Sequence, residues 1–253
     1  MLRAAVLIAA LGLSSGLARA DSIEVRAADV FTKALTEIGQ QFTAATQHEV
    51  KYIFKTVSLQ AKEIEGGAAS HVFVSANLGW MDYLAERKLI VAETRSVPVS
   101  NGLVLATPAS KPAPAKIELK PGVDLGGLLG ATGKLAIGDP AKVPPGTFAK
   151  QALTKLGVWS SVENRLVLGS SASETRQLLE KGDAAAGILF ATDGQDNPLV
   201  HVIGVVPPDA YASSDCPAAV LAGKDTPAAR AYVAFLKSPQ AVATFKKYGF
   251  TTK

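Results

Sequence analysis

Residues 22–42 read SIEVRAADVFTKALTEIGQQF, and this stretch decides the fold class. Its apolar side chains first alternate, which is the period of a β-strand with one buried face, at Ile23, Val25 and Ala27. They then recur every three or four residues, which is the period of an amphipathic helix, at Phe31, Leu35, Ile38 and Phe42. Asp29 stands between the two patterns, and we expect it to be the N-cap of the helix.

The alternation of strand and helix continues after this stretch. A second strand is predicted at residues 50–54, followed by a short helix that begins at Thr56 or Ser58. A third strand is predicted at residues 71–75, and Asn77 can cap the helix that follows it. This β-α-β-α-β order is typical of a doubly wound α/β domain.

The middle of the chain has the features of a second α/β unit. Short apolar runs predict further strands at residues 103–107, 134–138 and 187–190. A loop is predicted at residues 108–121, which contain four prolines. Three more prolines lie in residues 139–146, so we expect no helix before Thr147. Ser171 and Glu174 form a capping box that predicts another helix start.

Two helices are predicted near the end of the chain. Thr226-Pro227 and Ser238-Pro239 each place a hydroxyl at the N-cap and a proline at the first helical position. Gly249 follows two lysines and a tyrosine and is expected to end the second helix.

The composition excludes several classes of protein. The chain has 253 residues, of which 48% are hydrophobic, and 26 Lys and Arg residues face 22 Asp and Glu residues. It is too apolar for a disordered chain and, without a dense basic run, too weakly charged for a nucleic-acid-binding one. A single cysteine, Cys216, excludes an internal disulfide and a Cys₄ metal site. We therefore expect no metal and no cofactor, and we expect Cys216 to be a packed free thiol.

The first twenty residues have the pattern of a secretory signal peptide. Arg3 precedes an apolar stretch, and the stretch ends at Ala18-Arg19-Ala20, a small-x-small cleavage signature. Residues 1–20 are therefore expected to be removed on export to the periplasm. No later run of about 18 apolar residues is present, so we expect no membrane span.

The sequence carries no motif that indicates an enzyme. Gly-x-Ser-x-Gly, His-Glu-x-x-His, Cys-x-x-Cys and Gly-x-Gly-x-x-Gly are all absent. Four predicted helix starts are the positive signal instead, and they lie at Asp29-Val30, Thr56-Val57-Ser58, Pro145-Gly146-Thr147 and Ser171-Ala172-Ser173. Helix starts present unpaired N–H groups that can bind an oxyanion, and doubly wound sheets gather such starts at one edge. Ordinary helix capping is the alternative for each of the four.

Three stretches carry a resemblance to a known family. They are Gly79-Trp80-Met81-Asp82-Tyr83, Gly138-Asp139-Pro140 through Ala149-Lys150-Gln151-Ala152-Leu153, and Lys247-Tyr248-Gly249-Phe250-Thr251. With them, residues 21–253 as a whole resemble the periplasmic molybdate-binding proteins, the solute receptors of bacterial ABC importers.

The resemblance implies a type II periplasmic-binding fold, in which two α/β lobes close over a ligand cleft. Lobe 1 would comprise residues 21–103 and 208–253, and lobe 2 residues 104–207. The implied protein is a monomer without catalytic activity. Its implied partners are a small-molecule or oxyanion ligand and an ABC permease in the inner membrane, with no nucleic acid.

The resemblance also places the ligand site. The family's two serine positions correspond to Val30, which follows Asp29, and to Val57, or to Ser58 if the register shifts by one. Its two backbone N–H donors correspond to Pro145 and Ala172. Its tyrosine hydroxyl corresponds to Phe190. Proline has no N–H and phenylalanine no hydroxyl, so the chain differs from the family pattern at most of these positions.

Three interpretations of this site stay open at the level of sequence. Backbone N–H groups could still hold an oxyanion, helped by one of several polar side chains: Lys55, Thr56, Ser170, Ser171 and Ser173. A less polar cleft could instead hold an organic solute, with Asp29 meeting an amine, a hydroxyl or a metal-bound group. A third possibility is a sensory or interaction role in which the lobes are presented to a protein partner.

Overall fold

The computed structural model describes residues 20–195 and 197–252, so the predicted signal peptide lies, except for Ala20, outside the described residues. The strands within these ranges are, in chain order, β1 (Ser22–Ala28), β2 (Glu49–Lys55), β3 (Val72–Val74), β4 (Ser96–Ser100), β5 (Leu103–Pro108), β6 (Leu135–Gly138), β7 (Leu166–Gly169), β8 (Ala186–Phe190), β9 (Val200–Val205), β10 (Asp215–Val220) and β11 (Thr251–Thr252).

The α-helices are α1 (Thr32–Thr46), α2 (Val57–Glu65), α3 (Leu78–Glu86), α4 (Leu125–Leu129), α5 (Pro144–Lys155), α6 (Trp159–Val162), α7 (Ala172–Glu180), α8 (Ala191–Gly194), α9 (Pro227–Phe235) and α10 (Pro239–Lys247). Short 3₁₀ turns lie at Asp29–Phe31, Ala92–Thr94, Glu163–Arg165 and Pro208–Ala210. Within the described ranges, no helix is both long and apolar enough to cross a bilayer.

Six strands form the first sheet, in the order β11-β4-β10-β3-β1-β2. Strand β1 runs parallel to β2 and β3, whereas β10 runs antiparallel to β3 and β4. Buried side chains cover both faces, because alternate residues of β3 point to opposite sides: Val72 and Val74 into one cluster, Phe73 into the other. We call the part of the chain built on this sheet lobe 1.

Five strands form the second sheet, in the order β7-β6-β8-β5-β9. Strand β6 is parallel to β7 and β8, and β5 is antiparallel to β8 and β9. This sheet is also covered on both faces, by α5 on one side and α7 on the other. We call this part lobe 2, and the expected two-lobed α/β class is confirmed.

The chain passes from lobe 1 to lobe 2 after β4 and returns before β10. Leu103, expected as the last residue of lobe 1, is the first residue of β5 in the second sheet. Ala210, expected in lobe 1, packs in the core of lobe 2. The return crossing therefore lies a few residues later than the sequence suggests, because the turn Pro208–Ala210 packs against α5.

Most of the predicted helix caps are present. The Asn77 side chain accepts a hydrogen bond from the Trp80 N–H at 3.0 Å. Thr226 and Ser238 accept from the N–H groups three residues ahead, and each is followed by a proline at the first helical position. These are the local signals that hydroxyl and amide caps provide for a helix start.

Two predicted helix starts are wrong. Asp29 lies inside a 3₁₀ turn, α1 begins only at Thr32, and the Asp29 side chain caps nothing. The reason is tertiary: Phe31 is fully buried and stacks on Phe250 at 4.9 Å, which holds the chain in a turn before the helix begins. Helix α5 begins at Pro144 and not at Thr147. Prolines are tolerated there because the first helical N–H groups need no partner.

Helix α5 approaches β6 so closely that only glycine fits at the contact. A Cβ on Gly146 would lie 2.1 Å from the Gly138 carbonyl oxygen, and a Cβ on Gly138 would lie 2.9 Å from the Gly146 nitrogen. The start of α5 is therefore held against the carboxyl end of a central strand of lobe 2.

We expect Gly146→Ala to destabilise the chain by about 3 kcal/mol, because backbone atoms must move to admit the methyl group. Gly79→Ala is the matched control, since it also lies in a helix first turn but its Cβ would meet only Asn77 Oδ1 at 3.7 Å. That variant should be neutral or stabilised by up to about 1 kcal/mol. Urea unfolding followed by circular dichroism measures both. Equal stabilities of the two variants would contradict the close approach.

Candidate functional site

A cleft with a volume of about 590 Å³ lies between the lobes. The residues that line it belong to the loops and helix starts that connect the strands of both sheets. All seven positions assigned to the ligand lie on this one surface: Asp29, Val30, Val57, Ser58, Pro145, Ala172 and Phe190. The remaining lining residues used below are Thr56, Asn101, Phe148, Ser171, Ser173, Asp193 and Ser214. The geometry therefore brings the predicted positions together, and their binding roles stay predictions.

Lobe 1 contributes two neighbouring chain turns to the cleft. Val30 lies in the 3₁₀ turn after β1, and Val57 is the first residue of α2 after β2. The last residues of the two parallel strands, Ala28 and Lys55, are paired in the sheet, so the two turns stand side by side. The first N–H groups of each turn have no partner within their own helix.

A buried glutamine fixes the start of α2. Gln60 is fully buried, and its side-chain N–H₂ donates to the Ala27 carbonyl at 3.1 Å and to the Ile53 carbonyl at 2.6 Å. Its Oε1 accepts from Arg26 at 3.0 Å. The amide thus joins β1, β2 and α2 at the point where the cleft begins. Sequence reasoning missed Gln60, and its only signal was a polar residue on the apolar side of a short helix.

The charge of Lys55 is directed away from the cleft. Its Nζ lies 2.5 Å from Glu63, which also accepts a hydrogen bond from Arg26. These two cations hold the pKa of Glu63 below its usual range, Lys55 having the larger effect. Lys55, named above as a possible compensating group, is not among the residues that line the cleft, and its ammonium pairs with Glu63.

Lobe 2 contributes the start of α7 with free backbone donors. Ser171 Oγ accepts from the Glu174 N–H at 3.0 Å, which leaves the Ser171 hydroxyl proton available. The Glu174 carboxylate bonds the Ser170 N–H at 2.7 Å and the Ser170 hydroxyl, so the capping box is shifted back by one residue. Ser170 is consequently occupied, whereas the Ala172 N–H, at the first helical position, remains available.

The start of α5 offers no such donor. Pro144 and Pro145 have no N–H, and the Gly146 N–H is already bonded to the Val143 carbonyl at 3.1 Å. Unlike the other three predicted helix starts, the start of α5 therefore presents an apolar edge to the cleft. Phe148, on the next turn of this helix, extends that edge.

The end of β8 brings a carboxylate into the cleft that sequence reasoning missed. Phe190 is the last residue of β8, and Asp193 follows in α8. Burial raises the pKa of Asp193 above its usual value, while Arg176, whose guanidinium nitrogen lies 3.6 Å away, partly opposes the rise. A carboxylate oxygen of Glu180 lies 3.1 Å from Nε of the same Arg176. The negative charge of Glu180 raises the pKa of Asp193 further. The signal in the sequence was only an acidic residue three positions after the predicted strand.

The two chain crossings behind the cleft are hydrogen-bonded to each other. The Asn101 N–H donates to the Ser214 carbonyl at 3.1 Å, and the Leu103 N–H donates to the Tyr211 hydroxyl at 3.1 Å. The Val206 N–H donates to the Leu103 carbonyl at 2.9 Å. This arrangement holds the two connecting segments together where the chain passes between the lobes, which is where hinge bending of a two-lobed protein is expected.

No cysteine or histidine is among the described residues that line the cleft. Cys216 is buried, and burial raises the pKa of its thiol to about 12, so the prediction of a packed thiol is confirmed. His48 and His71 each accept a backbone hydrogen bond through Nδ1. Across residues 20–195 and 197–252, no group of three His, Cys, Asp or Glu side chains is arranged to hold a metal ion.

Comparison with known proteins gives a consistent result. The family model for the bacterial extracellular solute-binding proteins matches residues 23–251. The molybdate-binding protein ModA of Haemophilus influenzae is 36% identical, over 98% of this chain and 96% of the relative. ModA of Escherichia coli is also 36% identical, over 94% and 92%.

Solved structures share the fold. The substrate-binding domain assigned to a molybdenum ABC transporter from Clostridium difficile superposes with a TM-score of 0.82 at 23% identity, over 92% of this chain and all of that one. The periplasmic molybdate-binding protein of Azotobacter vinelandii superposes with a TM-score of 0.65 at 22% identity, over 91% and 99%.

The raised pKa of Asp193 predicts a pH dependence of stability. The folded chain binds this proton more tightly than the unfolded chain, so stability falls as the pH rises from the unfolded-state pKa through the folded-state pKa. Asp193→Asn removes this loss. Its free energy of unfolding, relative to the natural chain, should therefore increase as the pH rises above about 4, the ordinary pKa of an aspartate.

Asp209→Asn is the control for this measurement. The pKa of Asp209 is lowered by Lys155, at 3.0 Å, so its titration in the folded chain lies below the same pH range. Its difference from the natural chain should stay nearly constant there. Parallel pH profiles of urea unfolding for Asp193→Asn and the natural chain would contradict the raised pKa.

Proposed function

The chain belongs to the family of bacterial extracellular solute-binding proteins, and on this premise we propose that it is the receptor of an ABC importer for an oxyanion of the molybdate type. The proposal places the mature chain in the periplasm as a monomer without catalytic activity. The ModA proteins, 36% identical over nearly the whole chain, support it.

One observation carries the proposal: helix starts of both lobes open onto the same cleft. Val30, Val57 and Ser58 line it from lobe 1 and Ala172 lines it from lobe 2, each in the first turn of its helix, where backbone N–H groups have no intrahelical partner. Unpaired N–H groups and the positive end of the helix dipole both favour an anion. Donors on both lobes mean that a bound oxyanion favours the closed arrangement over the open one.

The side-chain donors of the cleft are fewer than the family pattern provides. Valine stands at both serine positions, Phe190 at the tyrosine position, and Pro145 lacks an N–H. A hydrogen bond to a charged group contributes about 1.5–3 kcal/mol, and micromolar affinity corresponds to about 8 kcal/mol. We therefore propose that molybdate binds with a dissociation constant well above the micromolar range.

The proposed mechanism is capture, closure and delivery. An anion enters the open cleft and binds the N–H groups of one lobe. The hydrogen-bonded crossings at Asn101 and Ser214 then bend, and the second lobe adds its donors. The closed form docks on a permease in the inner membrane, which distinguishes the loaded receptor from the empty one by its shape.

An organic anion is the second candidate ligand, and the shape of the cleft favours it. A volume of about 590 Å³ is within the range of small-molecule sites and exceeds what one tetrahedral oxyanion fills. The walls are largely apolar, formed by Val30, Val57, Pro145, Phe148 and Phe190. An anionic group at the helix starts would leave room for an apolar body against these walls.

We expect thermal unfolding of residues 21–253 to shift upward with millimolar molybdate or tungstate. A ligand at about ten times its dissociation constant stabilises by about 1.4 kcal/mol, which corresponds to roughly 3–5 °C for a chain of this size. Sulfate at the same concentration and ionic strength is the comparison. The absence of a shift with every oxyanion would reject the proposed ligand class.

Restoring the family's hydroxyl groups should increase molybdate affinity. The variant Val30→Ser, Val57→Ser, Phe190→Tyr places three donors back at the cleft, and each hydrogen bond made is worth about 1.5–3 kcal/mol. Isothermal titration should show at least a tenfold tighter dissociation constant. Val205→Ser, an equivalent change at an exposed residue outside the cleft, should leave the affinity unchanged. No gain in the triple variant would mean that these positions do not contact the ligand.

A further inference from the structure

Asp193 brings a carboxyl group to the cleft close to the position where the family pattern has a tyrosine hydroxyl. It lies three residues after Phe190, on the short helix α8, and both residues line the cleft. The Asp193 side chain is 21% exposed, so a solute in the cleft can reach it. Within residues 20–195 and 197–252, its carboxyl oxygens accept no hydrogen bond and have Arg176 as an ion-pair partner at 3.6 Å.

The charges that surround Asp193 come from α7 and from lobe 1. Arg176 and Glu180 lie on one face of α7 and pair with each other at 3.1 Å. With an ionised Asp193 this group has one positive and two negative charges, whereas with a protonated Asp193 its charges cancel. Asp29 adds a further carboxylate from the other side of the cleft. An oxyanion in the cleft therefore meets excess negative charge unless Asp193 is protonated.

The other described elements that pack against α8 bring no charge to Asp193. Strands β5 and β8 have only uncharged side chains, and Gly249, which lies close to the Ala191 carbonyl, has uncharged neighbours. His201 on β9 lines a separate cavity. Among the described residues, no histidine lines the cleft, so a proton exchanged there near neutral pH has to be held by a carboxyl group.

Protonation turns this carboxyl group from an obstacle into a donor. Burial raises the pKa of Asp193 above its usual value, and the charge of Glu180 adds to the rise. A doubly charged oxyanion at the helix starts adds negative charge to the same cleft and favours the protonated form further. A protonated carboxyl group donates its O–H to an oxygen of the anion, whereas an ionised one only accepts.

We propose that the cleft binds its oxyanion together with one proton, which Asp193 takes from the solvent and donates as a hydrogen bond to the ligand. This inference rests on the proposed receptor function and adds regulation by pH to it. The complex holds the fully deprotonated anion and the neutral carboxylic acid, and release of the anion returns the proton to the solvent. Asp193 thereby performs the role that the family pattern gives to a hydroxyl in place of Phe190.

Isothermal titration with molybdate tests the proton uptake on the natural chain. Molybdate itself carries no proton near neutral pH, so a proton bound on complex formation belongs to the protein. The enthalpy measured in buffers with different ionisation enthalpies should show uptake of about half a proton or more at about pH 6. The affinity should rise as the pH falls from about 8 to about 6, by up to about tenfold for each pH unit.

Three variants assign the proton and its role. Asp193→Asn cannot titrate but keeps an N–H donor, so the proton uptake should disappear and molybdate should bind more tightly than to the natural chain at about pH 8. Asp193→Leu removes both the charge and the donor, and its affinity should be lower than that of Asp193→Asn. Asp29→Asn is the matched control, since it removes the other carboxylate of the cleft and should keep the proton uptake.

The outcomes separate this inference from the proposed function. Molybdate binding without proton uptake, or with an uptake that persists in Asp193→Asn, would overturn the inference and leave the receptor function supported. Equal affinities of Asp193→Asn and Asp193→Leu would also overturn it, because the side chain would then donate nothing to the ligand. Absence of molybdate binding throughout this pH range would overturn the proposed molybdate-type receptor, and this inference with it.

Discussion

The cleft depends on the buried amide of Gln60. A short helix has few hydrogen bonds of its own, so the direction of α2 has to be set by a contact with the sheet. Gln60 provides it by donating to carbonyls of both β1 and β2 while accepting from Arg26. Because these carbonyls belong to Ala27 and Ile53, near the carboxyl ends of β1 and β2, the same bonds position both lobe 1 turns that follow the strands. Replacing the amide with an apolar group would remove one acceptor of the Arg26 guanidinium and the hydrogen bond that the side chain donates to each of the two carbonyls.

The two lobes hold their helix starts by different means. Lobe 1 uses the polar contacts around Gln60, whereas lobe 2 uses the absence of side chains at Gly138 and Gly146. The consequence is chemical as well as geometric. Close packing with two prolines leaves α5 without a donor, so the wall that it provides is apolar, and anion binding in lobe 2 relies on α7. The cleft is therefore asymmetric, with an apolar wall at α5 and backbone donors concentrated on three helix starts.

Much of the fold could be predicted because the signals are local. The alternation before Asp29, the Asn77 cap and the two proline starts near the end each depend on residues within one turn of each other. The failures were tertiary: burial of Phe31 against Phe250 delays α1, and the packing of Pro208–Ala210 on α5 moves the return crossing.

The candidate site divides in the same way. Resemblance to a family indicated seven positions, and they line one cleft. The residues that sequence reasoning missed, Gln60, Asn101 and Asp193, act through distant partners. Gln60 meets Ala27 across 33 residues, and Asn101 meets Thr192 across 91. No periodicity or motif reports contacts of that kind.

The route of the chain through the first sheet has a consequence for the order of folding. Strand β10 separates β3 from β4, so the sheet of lobe 1 cannot close until residues near the end of the chain arrive. Lobe 2 is one continuous segment between β5 and β9, and it has no such requirement. Contacts between distant residues form slowly because a long loop must first be closed. Lobe 1 therefore starts to fold first and finishes folding last. A chain that is still being synthesised exposes half of the lobe 1 sheet until the residues of β10 are present.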